Sequence, residues 1–373
     1  MAHAYTPGLK VTSSTRVRKI RRLPLRGDVM VKPNESVDPE TVVACTSIPG
    51  DAVTVNVANM LGLEGTDIPE HMVKKVGDQV KEGELIAVYS TFFGLFKNRA
   101  YSNVTGVIEN ISQITGQVIV RTPPIPVEVN AYVKGKVAEV IPGQGVVVET
   151  EGAFVQGIFG IGGEHQGVLS TVVDGPGDVL DAALLKPEHR GKIVVGGSLI
   201  TRDAMRRAGE VGVAGLVAGG IIDSDLVDYL GYDIGVAITG HEDISFAVII
   251  TEGFGRMSMA DKTFALLKSL EGQQASINGA TQIRAGVMRP ELIIPGTFST
   301  SAAQQDKASQ GLVPGTAIRI IREPYFGQLA EVVELPPELV RIETEAMVRI
   351  LKARLRDGTV VVVPRANVEI IEE

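Results

Sequence analysis

Across residues 27–175 of this 373-residue chain, apolar and polar residues alternate in short runs that stop at glycine. This pattern constrains the fold more than any other feature of the sequence. Strand side chains alternate between two faces, whereas a helix returns to one face every 3.6 residues. Over residues 27–175 the runs MVKKVGDQVKEGELIAVYS, SNVTGVIENI, GQVIVRTP, AYVKGKVAEVI and GVVVETE alternate in this way and read as an all-β region. Only VTVNVANMLGL (53–63) offers a competing helical period. The 42 glycines suit many tight turns.

The pattern changes at residues 176–296. Strand-like runs KIVV (192–195), VAGLVAG (213–219), DIGVAIT (233–239) and SFAVIIT (245–251) alternate with helical windows TRDAMRRAGEVG, DSDLVDYLG and SMADKTFALLKSLEG. Strands alternating with helices imply an α/β layer. Ser258 with Asp261 forms an S-x-x-D capping pattern, Asp223 or Ser224 can cap the helix that follows them, and Gly231 and Gly272 suit helix ends. Residues 297–311 (TFSTSAAQQDKASQG) read as a polar linker. Residues 312–373 return to β, with a hairpin signal at Asp357-Gly358.

Residues 1–26 read as a basic arm. Arg16, Arg18, Lys19, Arg21 and Arg22 crowd together, and no acidic residue precedes Arg26. Such an arm either packs loosely or contacts RNA, DNA or an acidic protein face. The whole chain is acidic, with 36 Lys and Arg against 44 Asp and Glu and a net charge of −8. That excludes a surface coated by nucleic acid but not a local basic patch. One cysteine excludes an intramolecular disulfide, a cysteine-built zinc site and an iron–sulfur cluster, and no cofactor is expected. No apolar stretch is long enough to span a bilayer, and no apolar segment follows the basic residues of the N-terminus. The chain reads as a soluble, cytoplasmic protein.

Three segments resemble known families. KKVGDQVKEGELIAVYSTFFGLFKNRAYSNVTGVIENI (74–111) resembles the biotinyl/lipoyl-like barrel-sandwich hybrid, through Val76-Gly77-Asp78, Val80, Gly83, Leu85 and Val104-Thr105-Gly106-Val107. A second half-motif lies at 131–149, through Gly135 and Val137. Carrier members place the modified lysine at a hairpin tip. Here the tip reads Phe93-Gly94-Leu95 and Lys97 is displaced, so the resemblance implies an interaction module without a prosthetic group, with Phe92, Phe93 and Phe96 as candidate partner contacts. Residues 191–220 resemble a protease-associated (PA) swivelling domain, through Gly191-Lys192-Ile193, Ala204, Ala208-Gly209, Gly212 and Ala214-Gly215-Leu216-Val217. GTAIRIIREPYFGQLAEVVELPPE (315–338) resembles a KOW motif of transcription elongation factors and ribosomal proteins. The match rests on Gly315, Ile318, Ile320, Pro324-Tyr325-Phe326-Gly327, Ala330 and Val332, with Arg319 inside the motif.

The expected fold is therefore multidomain: a basic arm (1–26), an all-β barrel-sandwich hybrid-like region (27–175), a central α/β swivelling-type domain (176–296), a linker (297–311) and a C-terminal small KOW/SH3-like β-barrel (312–373). Glycines near the strand ends outline a candidate ligand crevice: Gly196, Gly197, Ser198, Gly219, Gly220, Gly240, His241, Glu252, Gly253, Gly255 and Arg256. His241, Glu242 and Glu252 are its only acid–base candidates, and no nucleophile elbow accompanies them. SINGATQIRAGVMRPELIIP (276–295) is too polar for a buried core, with Asn278, Thr281, Gln282, Arg284 and Arg289 suited to a turn or interface of unassigned role. The expected function is a non-enzymatic adaptor of the transcription or translation machinery, bound to RNA polymerase, the ribosome or RNA through the KOW-like barrel. Two alternatives stand beside it: a small-molecule-binding enzyme or sensor using the crevice, and a scaffold subunit using the Phe-bearing hairpin.

Overall fold

The computed structural model describes residues 9–91, 96–232, 239–240, 242–282, 288–297, 312–320, 324–325, 328–336, 338–341 and 347–370. The chain is mostly β, with 48% strand and 15% helix in several sheets. Among the described residues, thirteen strands join in one large sheet. Its principal members are β1 (Val11–Arg22), β2 (Gly145–Gln156), β3 (Glu164–Thr171), β4 (Lys192–Val195), β5 (Gly215–Ile221), β6 (Ala247–Phe254), β7 (Gln274–Asn278) and β8 (Glu291–Pro295). The order β6-β5-β4-β3-β7-β8-β2 is parallel from β6 to β3 and antiparallel from β3 to β2. The border expected between 175 and 176 thus falls inside a continuous sheet. The strands on its two sides share one core that includes Val155, Leu169, Ile193 and Val217.

Strand β1 corrects the expectation of a loose arm. Its register on β2 sets Arg16 opposite Glu151 and Arg18 opposite Glu149. Cross-strand opposite charges favour that pairing, and Val17 on the other face enters the core. The acidic partners lie about 130 residues away in sequence, out of reach of a reading confined to the N-terminus.

Three helices flank the parallel strands. In α1 (Arg202–Val211) the buried Ala204, Met205, Ala208 and Val211 form one stripe, and the Thr201 hydroxyl accepts from the Ala204 N–H at 3.1 Å. The α2 helix (Asp223–Leu230) begins at Asp223 itself, and α3 (Asp261–Ser269) begins after Ala260. Neither has the side-chain cap the sequence suggested: Asp223 and Asp261 each occupy the first helical position, where the side chain favours the helix dipole without serving as the cap. Gly231 ends α2 in the left-handed region as expected. Residues 233–238 of the expected strand DIGVAIT lie outside the described residues.

A separate four-stranded sheet (Ala52–Asn56, Gln117–Arg121, Gly106–Ile111, Gln79–Val80) and the hairpin Leu85–Thr91 with Phe96–Tyr101 enclose their own core of Val80, Ile86, Ile108, Val118 and Val120. Val76 and Val107 of the expected motif stay exposed. The half-motif at 131–149 joins the large sheet instead, with Val137 fully buried there. The strands β9 (Ala317–Ile320), β10 (Leu329–Glu334), β11 (Met347–Leu355), β12 (Val360–Pro364) and β13 (Val368–Ile370), with Leu339–Arg341, form a six-stranded C-terminal sheet. Its core is Ile318, Ile320, Val332, Leu351 and Val361, and the Asp357-Gly358 turn joins β11 to β12. Most of the expected linker, residues 298–311, lies outside the described residues.

Candidate functional site

The parallel strands β4, β5 and β6 bring most of the expected crevice together. Gly196–Ser198 follow β4, Gly219 and Gly220 lie within β5, and Glu252 and Gly253 end β6 ahead of Gly255 and Arg256. The backbone of these segments fills the space between them. Gly219 N–H donates to Gly197 O at 2.7 Å, Met257 N–H to Ser198 O at 3.0 Å, and Gly255 N–H to Ile221 O at 2.7 Å. A Cβ on Gly219 would stand 2.0 Å from Met257 O, and one on Gly220 2.0 Å from Gly255 O. These glycines are therefore explained by close backbone approach. The Ser198 hydroxyl donates to Gly177 O at 2.8 Å. Gly240 lies apart, against Ala280, and His241 is outside the described residues.

One crevice residue meets one residue of the KOW-like motif. Glu252 is buried, and its Oε1 accepts from Ala260 N–H at 2.9 Å and the Thr251 hydroxyl at 3.2 Å. Its Oε2 accepts from Arg319 Nη2 of β9, which also donates to Thr251 O at 3.1 Å. Both side chains are almost wholly enclosed, at 3% and 4% exposure. Arg319 thus faces the interior and ties the C-terminal sheet to the end of β6. Both oxygens of Glu252 are thus engaged, by Arg319 on one side and by Ala260 and Thr251 on the other. Beside the junction, Arg256, Ser258, Gln328, Arg356 and Asp357 line a cavity of about 360 Å³.

Of the remaining motif residues, Gly315 holds φ +90° and donates to Val332 O at 2.7 Å, Ile318 is core, and Tyr325 packs against that core beside the exposed Pro324. Phe326 and Gly327 lie outside the described residues, as do Phe92 and Phe93. Phe96 opens the second strand of its hairpin, and its side chain is not among those described.

The basic residues of β1 are largely matched by carboxylates. Arg16 lies 3.6 Å from Glu149 and from Glu151, and Arg18 3.5 Å from Glu149 and 3.8 Å from Glu139. Lys19 pairs with Glu291, Arg21 pairs with Glu164 through both terminal nitrogens at 2.6 and 2.7 Å, and Arg22 is exposed. The row proposed for nucleic acid is thereby neutralised along most of its length.

The last two pairs reveal a site that sequence reasoning missed. Lys19 stands opposite Val148 on β2, whereas Glu291 stands opposite Gln156, eight residues further along. Eight strand residues span about 26 Å, so the pair forms only because the β1–β2 ribbon curls over the sheet face. A groove of about 560 Å³ lies beneath it, lined by Tyr132, Gln156, Glu164, Asn278 and Glu291 among others. The polarity of 276–295 was the available signal. Tyr132 and Gln156 carry no local pattern that marks them.

A scan against protein-family models finds no match, and a search of curated proteins finds none. Among the described residues, no helix is long and apolar enough to cross a membrane.

Proposed function

We propose that the protein is a non-enzymatic cytoplasmic adaptor, built from a barrel-sandwich hybrid-like region, a swivelling-type α/β layer and a KOW-like barrel, which docks onto a protein surface of the transcription or translation machinery. The outer edge of the C-terminal sheet carries this reading. Strand β12 pairs only with β11 among the described strands, and Val360 and Val362 stand about half exposed on it. Arg354 and Lys352 lie directly opposite these valines on β11. An apolar edge strand bordered by cations is suited to adding a strand from a partner with an acidic fringe.

A protein partner is favoured over RNA because the basic groups here are mostly engaged within the chain. Arg319 binds Glu252, Lys352 binds Glu334 at 2.8 Å, Arg356 lies 3.3 Å from Asp261, and Arg365 donates to Ile350 O and Pro336 O. The resemblance of 315–338 to a KOW motif supplies the class of partner.

The test is affinity purification from the native host, with and without nuclease, using the natural chain and a Val360→Glu/Val362→Glu variant. Polymerase subunits or ribosomal proteins that survive nuclease and are lost with the variant support the reading. Loss on nuclease treatment makes RNA the partner. An eluate without either class of protein, or capture unchanged in the variant, overturns it.

A further inference from the structure

Two short segments rich in proline, Ile48-Pro49-Gly50-Asp51 and Thr122-Pro123-Pro124-Ile125, lie side by side. On one side of them the strands Val42–Ile48 and Ile125–Asn130 pair, with Ile48 facing Ile125. On the other side Ala52–Asn56 and Gln117–Arg121 pair, with Ala52 facing Arg121. Each strand crosses the gap in the same number of residues, 49–51 against 122–124, so the register runs on unchanged. The two pairs are one antiparallel ribbon with a break in it.

The residues at the break remove the bonds of the ladder. Thr122 N–H donates to Asp51 O at 2.9 Å, which makes these two a hydrogen-bonded pair. Such pairs recur at every second position of an antiparallel ladder, so the next is Pro49 with Pro124. Neither proline has an N–H, and both bonds due at that position are lost. Pro126, which faces Ser47, removes one more donor from the pair beyond. Gly50 stands between, pressed against the other strand: a Cβ there would lie 2.2 Å from Thr122 O. Proline leaves ψ free and glycine leaves both dihedrals free. The ribbon therefore has its fewest cross-strand bonds where its backbone can still turn.

Beyond the break, residues 52–121 close on themselves. Their core, which includes Val55, Leu61, Ile86, Ile108 and Val120, takes no described residue from outside this span. Val43 and Val129, before the break, pack instead with Val146 and Val148 of β2. Among the described residues, the hydrogen bonds and ion pairs of 52–121 stay inside it, with the exception of Arg121. Its Nη1 donates to Gly50 O at 2.9 Å, while its Nη2 donates to the two Glu109 oxygens at 2.9 and 2.8 Å. Arg121 thus ties the sheet of this module to the break. A cleft of about 860 Å³ lies there, between Pro49, Pro123 and Pro124 of the break and Lys81, Thr105 and Val107 of the module.

A rigid body joined through a few residues that absorb the change in φ and ψ is the arrangement of a hinge. We propose that residues 52–121 swing as one body about the break at 49–51 and 122–124, opening and closing this cleft, with Arg121 as the positioning residue that holds the observed arrangement. The inference does not rest on the adaptor reading.

The test is pulsed electron paramagnetic resonance on the full chain in a Cys45→Ser background. Spin labels at Ile114→Cys and Ser224→Cys read the distance from the module to α2, and labels at Ile114→Cys and Glu82→Cys read a distance inside the module. All three positions are exposed, Ile114 at 92%. The frozen sample captures the ensemble, so a swinging module gives a 114–224 distribution clearly broader than the 114–82 distribution. Arg121→Met, which keeps the apolar stem and removes the tie to Gly50, should broaden the first distribution and leave the second unchanged. Pro49→Val with Pro124→Val returns two backbone donors to the ladder and should narrow the first toward the width of the second. Pro124→Val alone takes its place should the double variant fail to fold, as judged by circular dichroism. A 114–224 distribution as narrow as the control in both the natural chain and Arg121→Met overturns the proposal. So does a broad one that the folded proline variant leaves unchanged, because the motion then lies elsewhere.

Discussion

At the residue scale, Glu252 and Arg319 carry the largest individual consequence. Two charges enclosed this completely are tolerable only together, because each matches the other and the Glu252 oxygens also accept from Ala260 N–H and Thr251. Arg319→Met or Glu252→Gln should each cost about 3–5 kcal/mol, since each leaves its partner buried without a counter-charge. The double variant should cost clearly less than the sum, measured by urea unfolding as a double-mutant cycle. Additive losses would show that the pair is not coupled. His189 gives a pH prediction. Burial, then Lys192, lowers its pKa below the ordinary value of 6.5, and its Nδ1 accepts from Lys186 N–H, which requires the neutral ring. The unfolded chain therefore binds the proton more readily, so stability is present above about pH 6.5 and declines as pH falls toward the lowered folded value. His189→Asn, which keeps an acceptor but cannot titrate, should flatten the dependence of Tm on pH below about 6.5. A profile as steep as that of the natural chain would assign the slope to other groups.

At the element scale, β1 illustrates how a charged segment becomes an integral strand. Its ion pairs with Glu149, Glu151 and Glu139 are exposed and contribute little individually. The ladder to β2 and the burial of Val17 hold it in place. Hydrogen exchange should therefore find the amides of Val17 to Arg21 that bond to β2 protected as strongly as those of β2 itself. Arg16→Ala with Arg18→Ala should lower stability by no more than about 1 kcal/mol, whereas Val17→Asp should unfold the region by placing an unmatched charge in the core. Rapid exchange throughout Val11–Arg22 would restore the loose-arm reading. The α/β strands were easier to read. KIVV appears as β4 without adjustment, and SFAVIIT lies largely within β6. Both are continuous apolar runs, as strands buried on two faces require.

At the scale of the whole molecule, the C-terminal sheet has its own core, distinct from those of the large sheet. The Arg319–Glu252 pair spans the two. Scanning calorimetry of the natural chain should show the C-terminal sheet melting together with the large sheet. Arg319→Met should separate an earlier transition of residues 312–373 from the main one, because the Arg356–Asp261 pair that also joins them is exposed and weak. Identical traces for the two proteins would mean that other contacts couple the sheets.

The local periods are legible in the residues alone: alternating β segments, the switch to strand–helix alternation, and the strands of the C-terminal sheet. Those depend on neighbours two to four residues apart, and the spacing of apolar residues records them directly. The residues alone also mark Asn278 and Arg289 as too polar for a core, without a reason. Folding, and no local pattern, sets Arg16 and Arg18 against glutamates on β2, packs the glycines expected to open a crevice backbone against backbone, and joins Glu252 to Arg319. It alone brought Tyr132, Gln156, Asn278 and Glu291 around one groove. Charge matching and close packing join residues tens of positions to more than one hundred positions apart, and the pairing of strands chooses those partners. No local pattern encodes that choice, because each partner alone looks like an ordinary exposed polar residue or a turn glycine.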